Sequence, residues 1–346
     1  MDLSKARAGF SRRYPQKLTT LETHGAGEGA RLIIDGIGPL PGRTMAEKLT
    51  YFQENLDHIR LMLTREPRGC QGILAAAVTE PCSPGAAFGL IYMDARRYPF
   101  LCGHATMCAV TAMIEIGALD VQGPEPIVVV DTPSGPMETK ALIKGGRVES
   151  VAIRTVPSFV YGSRETLKLH GRDLSVDTVC VGGFFVMADA AKFRPEPLDL
   201  SPENAPNLIN LGMTMIEEAN RQLTVRHPTR PEVRTVDVVE FYREGPGPRQ
   251  GGGVVIYGES HMDRSPCGTG TAAKLTLMHH EGRIGKGESY LNHSPLGTFF
   301  EAAVVSETMV GDIPAVVVEI RGSAYVTGWC EFVVDPADPF PRGFML

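Results

Sequence analysis

The chain has 346 residues, 43% of them hydrophobic, which is enough for two domains with sizeable cores and too apolar for a disordered protein. A formal net charge of −6, with no cluster of Lys and Arg, argues against a nucleic-acid partner. Glycine at 38 residues and proline at 26 suit a chain with many short strands and turns.

The opening segment, MDLSKARAGFSRRYPQ, is polar and basic, and no apolar leader or membrane-length run is read before the first strands. The expectation is a cytoplasmic protein with no membrane partner. GAGEG (25–29) and GGG (251–253) both lack the strand–turn–helix context of a phosphate loop. A helical pattern spans 45–63, and its methionines need only a core explanation. Further on, PFLCGHATMCAVTAMIEIG places Met107, Val110, Met113 and Ile114 on a 3.6-residue period. Ala109, Ala112 and Ile116 fill most other faces, so this helix belongs inside the protein. Gly117 supplies its stop, and Cys102 stands at its start, where unpaired backbone N–H groups make a thiol easier to ionise. Residues 139–153 read as a hairpin centred on Gly145-Gly146, and TVPSFV (155–160) as a crossover into a second half. A further helix is expected over 208–222, and the Pro/Gly-rich stretches 226–233 and 243–253 read as surface loops. Short apolar runs such as RLIID, GLIYM, PIVVVD, VVIYG and AVVVEI recur between turn signals, which indicates α+β and not an alternating βαβ chain.

IYMDARRYPFLCGHATMCAVTAMIEIG has a counterpart in IYGESHMDRSPCGTGTAAKLTLMHHEG. Both begin Ile-Tyr, place a cysteine ten residues after the tyrosine (Cys102, Cys267), follow it with glycine (Gly103, Gly268), and end in glycine fifteen residues later. Each copy reads as strand, loop, cysteine, helix. Shared spacing of this length points to an internal repeat and two related halves, each presenting a thiol at a helix start. The first half is expected to span 1–155 plus a C-terminal segment from about 325 to 346, and the second 156–324.

Seven cysteines in a long chain of this kind do not make a disulfide framework. No C-x-x-C or H-E-x-x-H is present, and His279-His280 are adjacent, so a zinc site is disfavoured. Paired thiols suit proton transfer. Inverting a stereocentre requires a thiolate to take a proton from one face and a thiol to return one to the other.

DRSPCGTGTAAK (263–274) and CGH (102–104) resemble motifs of the proline racemase family. LETHGAGEGARLIIDGIGPLPGRTMAEKLTYF (21–52), EPRG (66–69) and GSAYVTGW (322–329) are similar to it as well, so the resemblance covers nearly the whole chain. It implies a cofactor-independent enzyme with the diaminopimelate epimerase-like fold. There, two pseudo-symmetric halves each wrap a barrel-like, mostly antiparallel sheet around a central helix, and the active site lies in the cleft between them. It implies that Cys102 and Cys267 are catalytic, that Gly103, Gly268 and Thr269 bind the substrate carboxylate, and that His104 and Asp263 hold the ring nitrogen. A homodimer acting on a small imino acid is the expected assembly. From the residues alone, Asp263 reads equally as a loop cap and His104 as a buried core histidine. Departures fall on the ring pocket. Leu74 stands where an aromatic ring-wall residue can sit in the family, Tyr257 at the other ring-wall position where phenylalanine is typical, Cys70 where a histidine is common, and VGGFFVMADA (181–190) is one residue shorter than the matching family segment.

Three functions are in play. The first is racemisation or 2-epimerisation of proline or 4-hydroxyproline. The second is dehydration of trans-3-hydroxyproline, where one thiol position in the family is typically threonine because elimination needs no second donor. The third is a non-catalytic thiol or ligand-binding protein. Both cysteines are present, which favours inversion.

Overall fold

The structure, a computed structural model, describes residues 2–70, 72–258 and 260–345. In chain order the elements are α1 (Ala6–Arg13), β1 (Leu18–Gly25), β2 (Glu28–Asp35), α2 (Met45–Asn55), α3 (Asp57–Thr64), β3 (Leu74–Thr79), β4 (Phe88–Met93), α4 (Gly103–Glu115), β5 (Ile127–Thr132), β6 (Gly135–Lys144) and β7 (Arg147–Arg154). They continue with β8 (Ser158–Leu169), β9 (Arg172–Val181), β10 (Gly183–Asp189), α5 (Ala205–Gln222), β11 (Val236–Glu244), β12 (Gln250–Tyr257), β13 (His261–Met262), α6 (Gly268–His280), β14 (Ser289–His293), β15 (Phe299–Val310), β16 (Ile313–Gly322) and β17 (Ala324–Phe332). No described helix is long and apolar enough to cross a membrane.

The chain forms two compact units, Met1–Gly25 with Gly29–Glu149 and Ala324–Leu346, and Ala26–Glu28 with Ser150–Ser323. In the second unit β8, β9 and β10 pair antiparallel, β10 and β11 parallel, β11 and β12 antiparallel, and β12 and β14 parallel. β14, β15 and β16 then pair antiparallel, and β16 returns to β8 at Val316 opposite Ser158. The result is a closed ring of eight strands, so no edge in it is left unpaired. The first unit repeats the series. β17 pairs β1 antiparallel, β1 pairs β2, β2 pairs β3 in parallel, β3 pairs β4 antiparallel, β4 pairs β5 in parallel, and β5 pairs β6 antiparallel. The fold is therefore α+β with two pseudo-symmetric halves, each a mostly antiparallel, barrel-like sheet.

Each barrel holds one helix, and the sequence says why. Every residue of α4 from His104 to Met113 is buried, as a helix apolar on nearly every face must be, and α6 is buried from Gly270 to Met278, Thr271, Lys274 and Thr276 included. α4 packs against β1, β17, β3 and β6, and α6 against β8, β9, β10, β15 and β16. The outer helices are one-sided. α5 buries only Leu208, Gly212, Met215 and Ala219.

The helix expected over 45–63 is broken at Leu56 into α2 and α3. Thr44 caps α2 by accepting from the Glu47 N–H at 3.1 Å. The break lets Asp57 start α3, where its carboxylate accepts from Arg60 Nε and from the Tyr98 hydroxyl, both at 2.7 Å. The stretch 243–253 is not one loop. Only 245–249 connects, while Gln250–Gly253 is strand paired to both β11 and β14. The hairpin at 139–153 does turn at Gly145-Gly146, both with positive φ, as a tight reversal requires.

Candidate active site

Cys102 is the N-cap residue of α4, with extended backbone (φ −146°, ψ 113°), and its side chain makes no capping hydrogen bond. Its carbonyl accepts from the Thr106 N–H at 3.0 Å and from the Thr106 hydroxyl at 2.8 Å. That hydroxyl lies 2.6 Å from the phenolic oxygen of fully buried Tyr92 on β4. Strand and helix start are thus tied through one threonine. The thiol itself is half-buried, with Sγ 3.3 Å from His104 Nδ1.

Cys267 is the N-cap residue of α6, but its φ of 57° with ψ of 122° is uncommon for any residue other than glycine. Such backbone costs on the order of 1–3 kcal/mol and persists only where its surroundings enforce it. Here they do, from two sides. The Asp263 N–H binds Val255 O, Asp263 Oδ1 accepts from the Ser265 N–H at 2.8 Å, and Ser265 Oγ accepts from the Cys267 N–H at 3.1 Å. Opposite, Pro266 O accepts from the Thr271 hydroxyl and from Asn292 Nδ2. The thiol is 8% exposed, accepts from the Gly270 N–H at 3.4 Å and lies 3.5 Å from Thr269 Oγ1.

Burial, then the Asp263 carboxylate, push the Cys267 thiol well above its ordinary pKa, while the Thr269 hydroxyl and Gly270 N–H pull it down. A helix start was expected to ease ionisation, but at this cysteine desolvation outweighs the local donors.

The remaining expected site residues fall as follows. His104 and Asp263 are both buried, Asp263 at 4% exposure with one oxygen engaged by Ser265. Gly103 and Gly268 are the first residues of α4 and α6, and a Cβ on Gly268 would meet nothing within 4 Å. Leu74 is buried at the start of β3, opposite Ala30 of β2. Tyr257 ends β12, its ring edge-on to His261 at 4.8 Å between centroids.

Three features escaped the sequence. Glu28, 1% exposed, accepts from the Arg264 N–H at 2.9 Å and from both arms of its guanidinium at 3.0 Å. His261 Nε2 lies 3.2 Å from the same carboxylate without a hydrogen-bonding angle. Glu28 thereby holds Arg264, the residue after Asp263, and lies beside His261, two residues before it. Glu240, on β11, is fully buried, and neither of its carboxyl oxygens has a hydrogen-bond partner among the described residues. Last, a threonine four residues after each cysteine, Thr106 and Thr271, anchors each helix start. That pair was visible in the aligned copies, whereas nothing in the sequence marks either glutamate as buried.

A family model described as Proline racemase matches residues 20–345. A proline racemase of Clostridioides difficile is 38% identical over 336 residues, covering 96% of this chain and 99% of the relative. A trans-3-hydroxy-L-proline dehydratase of Bacillus thuringiensis subsp. konkukian is 33% identical over 329 residues, covering 95% and 98%. The crystal structure of a hydroxyproline epimerase from Agrobacterium vitis with bound trans-4-hydroxy-L-proline superposes with a TM-score of 0.85 at 28% identity, covering 96% of each chain. With a cysteine at the N-cap position of each central helix, the repeated strand order and these matches along nearly its full length, the chain belongs to the proline racemase family of enzymes.

Proposed function

We propose that this enzyme inverts the α-carbon of proline or 4-hydroxyproline without a cofactor, using Cys102 and Cys267 as the two acid–base groups. The observation that carries this reading is that the two cysteines hold the same N-cap position on the central helices of two barrels built in the same strand order. In one direction a thiolate takes the α-hydrogen as a proton, and the C–H electron pair passes to the carbanion-like α-carbon. The other thiol then gives its proton to the opposite face and is left as thiolate. The reverse direction exchanges the roles.

A hydrogen beside a carboxylate is a very weak acid, and a thiol of ordinary pKa near ~8.5 is a weak base for it. The transition state therefore has to be stabilised where charge develops. Free N–H groups at the starts of α4 and α6, at Gly103, Gly268 and Thr269, suit a carboxylate gaining charge. The open space in front of Gly268 supports close approach of a ligand there. His104 and Asp263, each two to four residues from a thiol, suit the ring nitrogen.

Dehydration of trans-3-hydroxyproline is the second reading, favoured by the 33% identical relative of that activity. Elimination needs one base and no donor on the opposite face, so a pair of thiols favours inversion. The test is incubation with proline, trans-4-hydroxy-L-proline and trans-3-hydroxy-L-proline in deuterated water, followed by chiral analysis. Deuterium at the α-carbon of inverted product is expected from the first two. A keto acid or cyclic imine from the third, with no inversion of the others, overturns the reading.

A further inference from the structure

Among the described residues, Glu240 is a fully buried carboxyl against the thiol-bearing turn that the proposed chemistry leaves idle. On one side it meets β12, where a Cβ on Gly253 would come within 2.7 Å of Oε1. On the other it meets the first turn of α6, where a Cβ on Gly270 would lie 2.7 Å from Val255 Cγ2, 3.0 Å from Glu240 Oε2 and 3.2 Å from Cys267 Cβ. Two glycines therefore make room for this carboxyl, and the second is the residue whose N–H bonds Cys267 Sγ. The site belongs to the second half only. Aligning the two Ile-Tyr pairs sets Leu90 against Val255, and their cross-strand partners are Val78 and Glu240. In the same alignment the first half has Ala105 for Gly270 and Ala109 for Lys274.

We propose that Glu240 is a positioning residue for the second thiol: held as a neutral acid against the first turn of α6, it keeps negative charge away from Cys267 and so sets when that thiol can ionise. The charged and titratable groups around it fit this state. Lys274, one turn further along α6, is occupied by Glu244 at 2.9 Å and sits over the Tyr242 ring at 3.4 Å. Glu244 is further claimed by Arg283 at 2.8 Å. Asp263 adds negative charge, and the Tyr290 hydroxyl on β14 is buried without a partner among the described residues. Burial raises the Glu240 pKa to about 8, Lys274 opposes the rise, and Asp263 adds to it. Below that pH Cys267 faces a neutral neighbour. Above it Cys267 faces a carboxylate that resists a second negative charge.

This coupling deepens the two-thiol reading and rests on it for its importance to catalysis, but it is measured apart from catalysis. Iodoacetamide labelling of the peptide containing Cys267 is followed from pH 6 to 11 in wild type, Glu240→Gln and Glu240→Asp. Glutamine matches the neutral acid in shape, so labelling at low pH should be unchanged, while the midpoint should fall by about one pH unit because the like charge is gone. Glu240→Asp keeps a carboxyl and should keep the higher midpoint. An equal midpoint in wild type and Glu240→Gln overturns the proposal. A second readout uses the wild-type protein alone. Its infrared spectrum at pH 6 should contain a protonated-carboxyl band that disappears as the pH passes about 8, and absence of that band at pH 6 also overturns the proposal. Inversion retained by Cys267→Ser would instead sink the two-thiol reading and leave the coupling intact.

Discussion

The halves share a strand order and a central helix, yet their thiols stand in different surroundings. Cys102 is half-buried, sits on ordinary extended backbone and faces His104. Cys267 is buried on left-handed backbone, with Thr269 beside it and acidic Asp263 and Glu240 acting on it. Tyr98 occupies the place of Asp263 in the first copy and donates its hydroxyl to Asp57. Duplicated topology thus fixes where a thiol is placed, and the side chains packed around it fix how readily it ionises.

The strongest way to break this comparison is to remove each thiol. Cys102→Ser and Cys267→Ser should each lower inversion by several orders of magnitude, because a hydroxyl has a far higher pKa. A variant that kept more than about a tenth of wild-type inversion would have lost under ~1.4 kcal/mol of transition-state stabilisation, too little for an essential acid or base. Chiral assay of both purified variants decides it.

Next in size are the anchors of the two equivalent loops. Glu28→Gln removes the charge that holds Arg264 and adjoins His261 around Asp263. Hydrogen bonds to charged groups are worth ~1.5–3 kcal/mol each, and partly exposed Arg264 recovers some of that from water, so kcat/KM should fall roughly tenfold to a hundredfold, mainly through KM. Asp57→Asn loosens Arg60 and Tyr98 in the first half and should lower the melting temperature by a few degrees with kcat/KM nearly unchanged. Equal catalytic losses in both variants would show that the halves are not specialised as described.

Much of this is legible in the sequence. The repeat is carried by spacing, and spacing survives divergence, so the paired cysteines, their glycines and the helices that follow point to two related halves by themselves. What escapes it depends on partners distant in sequence. A glutamate in a strand reads as solvent-facing, and only the meeting of Gly253 and Gly270 makes a buried berth for Glu240. GGG at 251–253 reads as a loop for the same reason. Glycine is a poor strand former, but here the close approach of Tyr290 and Glu240 requires it. Leu56 ends α2 without proline or glycine, and the break follows from Asp57 reaching Arg60 and Tyr98.

The buried carboxyl also gives the second half its own pH dependence of stability. The Glu240 pKa rises from 4.5 to about 8 on folding, so between those values the unfolded chain has lost a proton that the folded chain keeps. Stability from this group is fully present below pH 4.5 and declines as pH rises towards 8. Thermal melts of wild type and Glu240→Gln should therefore converge at low pH, with the variant gaining relative to wild type as pH rises through that window. Parallel curves across it would mean that Glu240 titrates normally.

The smallest effect is expected at Tyr257, proposed as a ring-wall residue, which ends β12 against His261. Its hydroxyl is the feature that a phenylalanine at this position would lack. A substrate hydroxyl buried without a partner costs ~1–3 kcal/mol, so a tyrosine that meets it should favour 4-hydroxyproline over proline. We expect both L-proline and trans-4-hydroxy-L-proline to be turned over, within about two orders of magnitude of each other in kcat/KM, the range that such a hydrogen bond can span. Tyr257→Phe should shift the ratio towards proline by about tenfold, the equivalent of one such bond, and leave turnover of proline itself little changed. Leu74, in the first half, offers no hydrogen-bonding group, so Leu74→Met should alter the two substrates alike. If Tyr257→Phe leaves the ratio where it was, ring selectivity does not reside in the second half, and the difference between the halves is confined to the chemistry of their thiols.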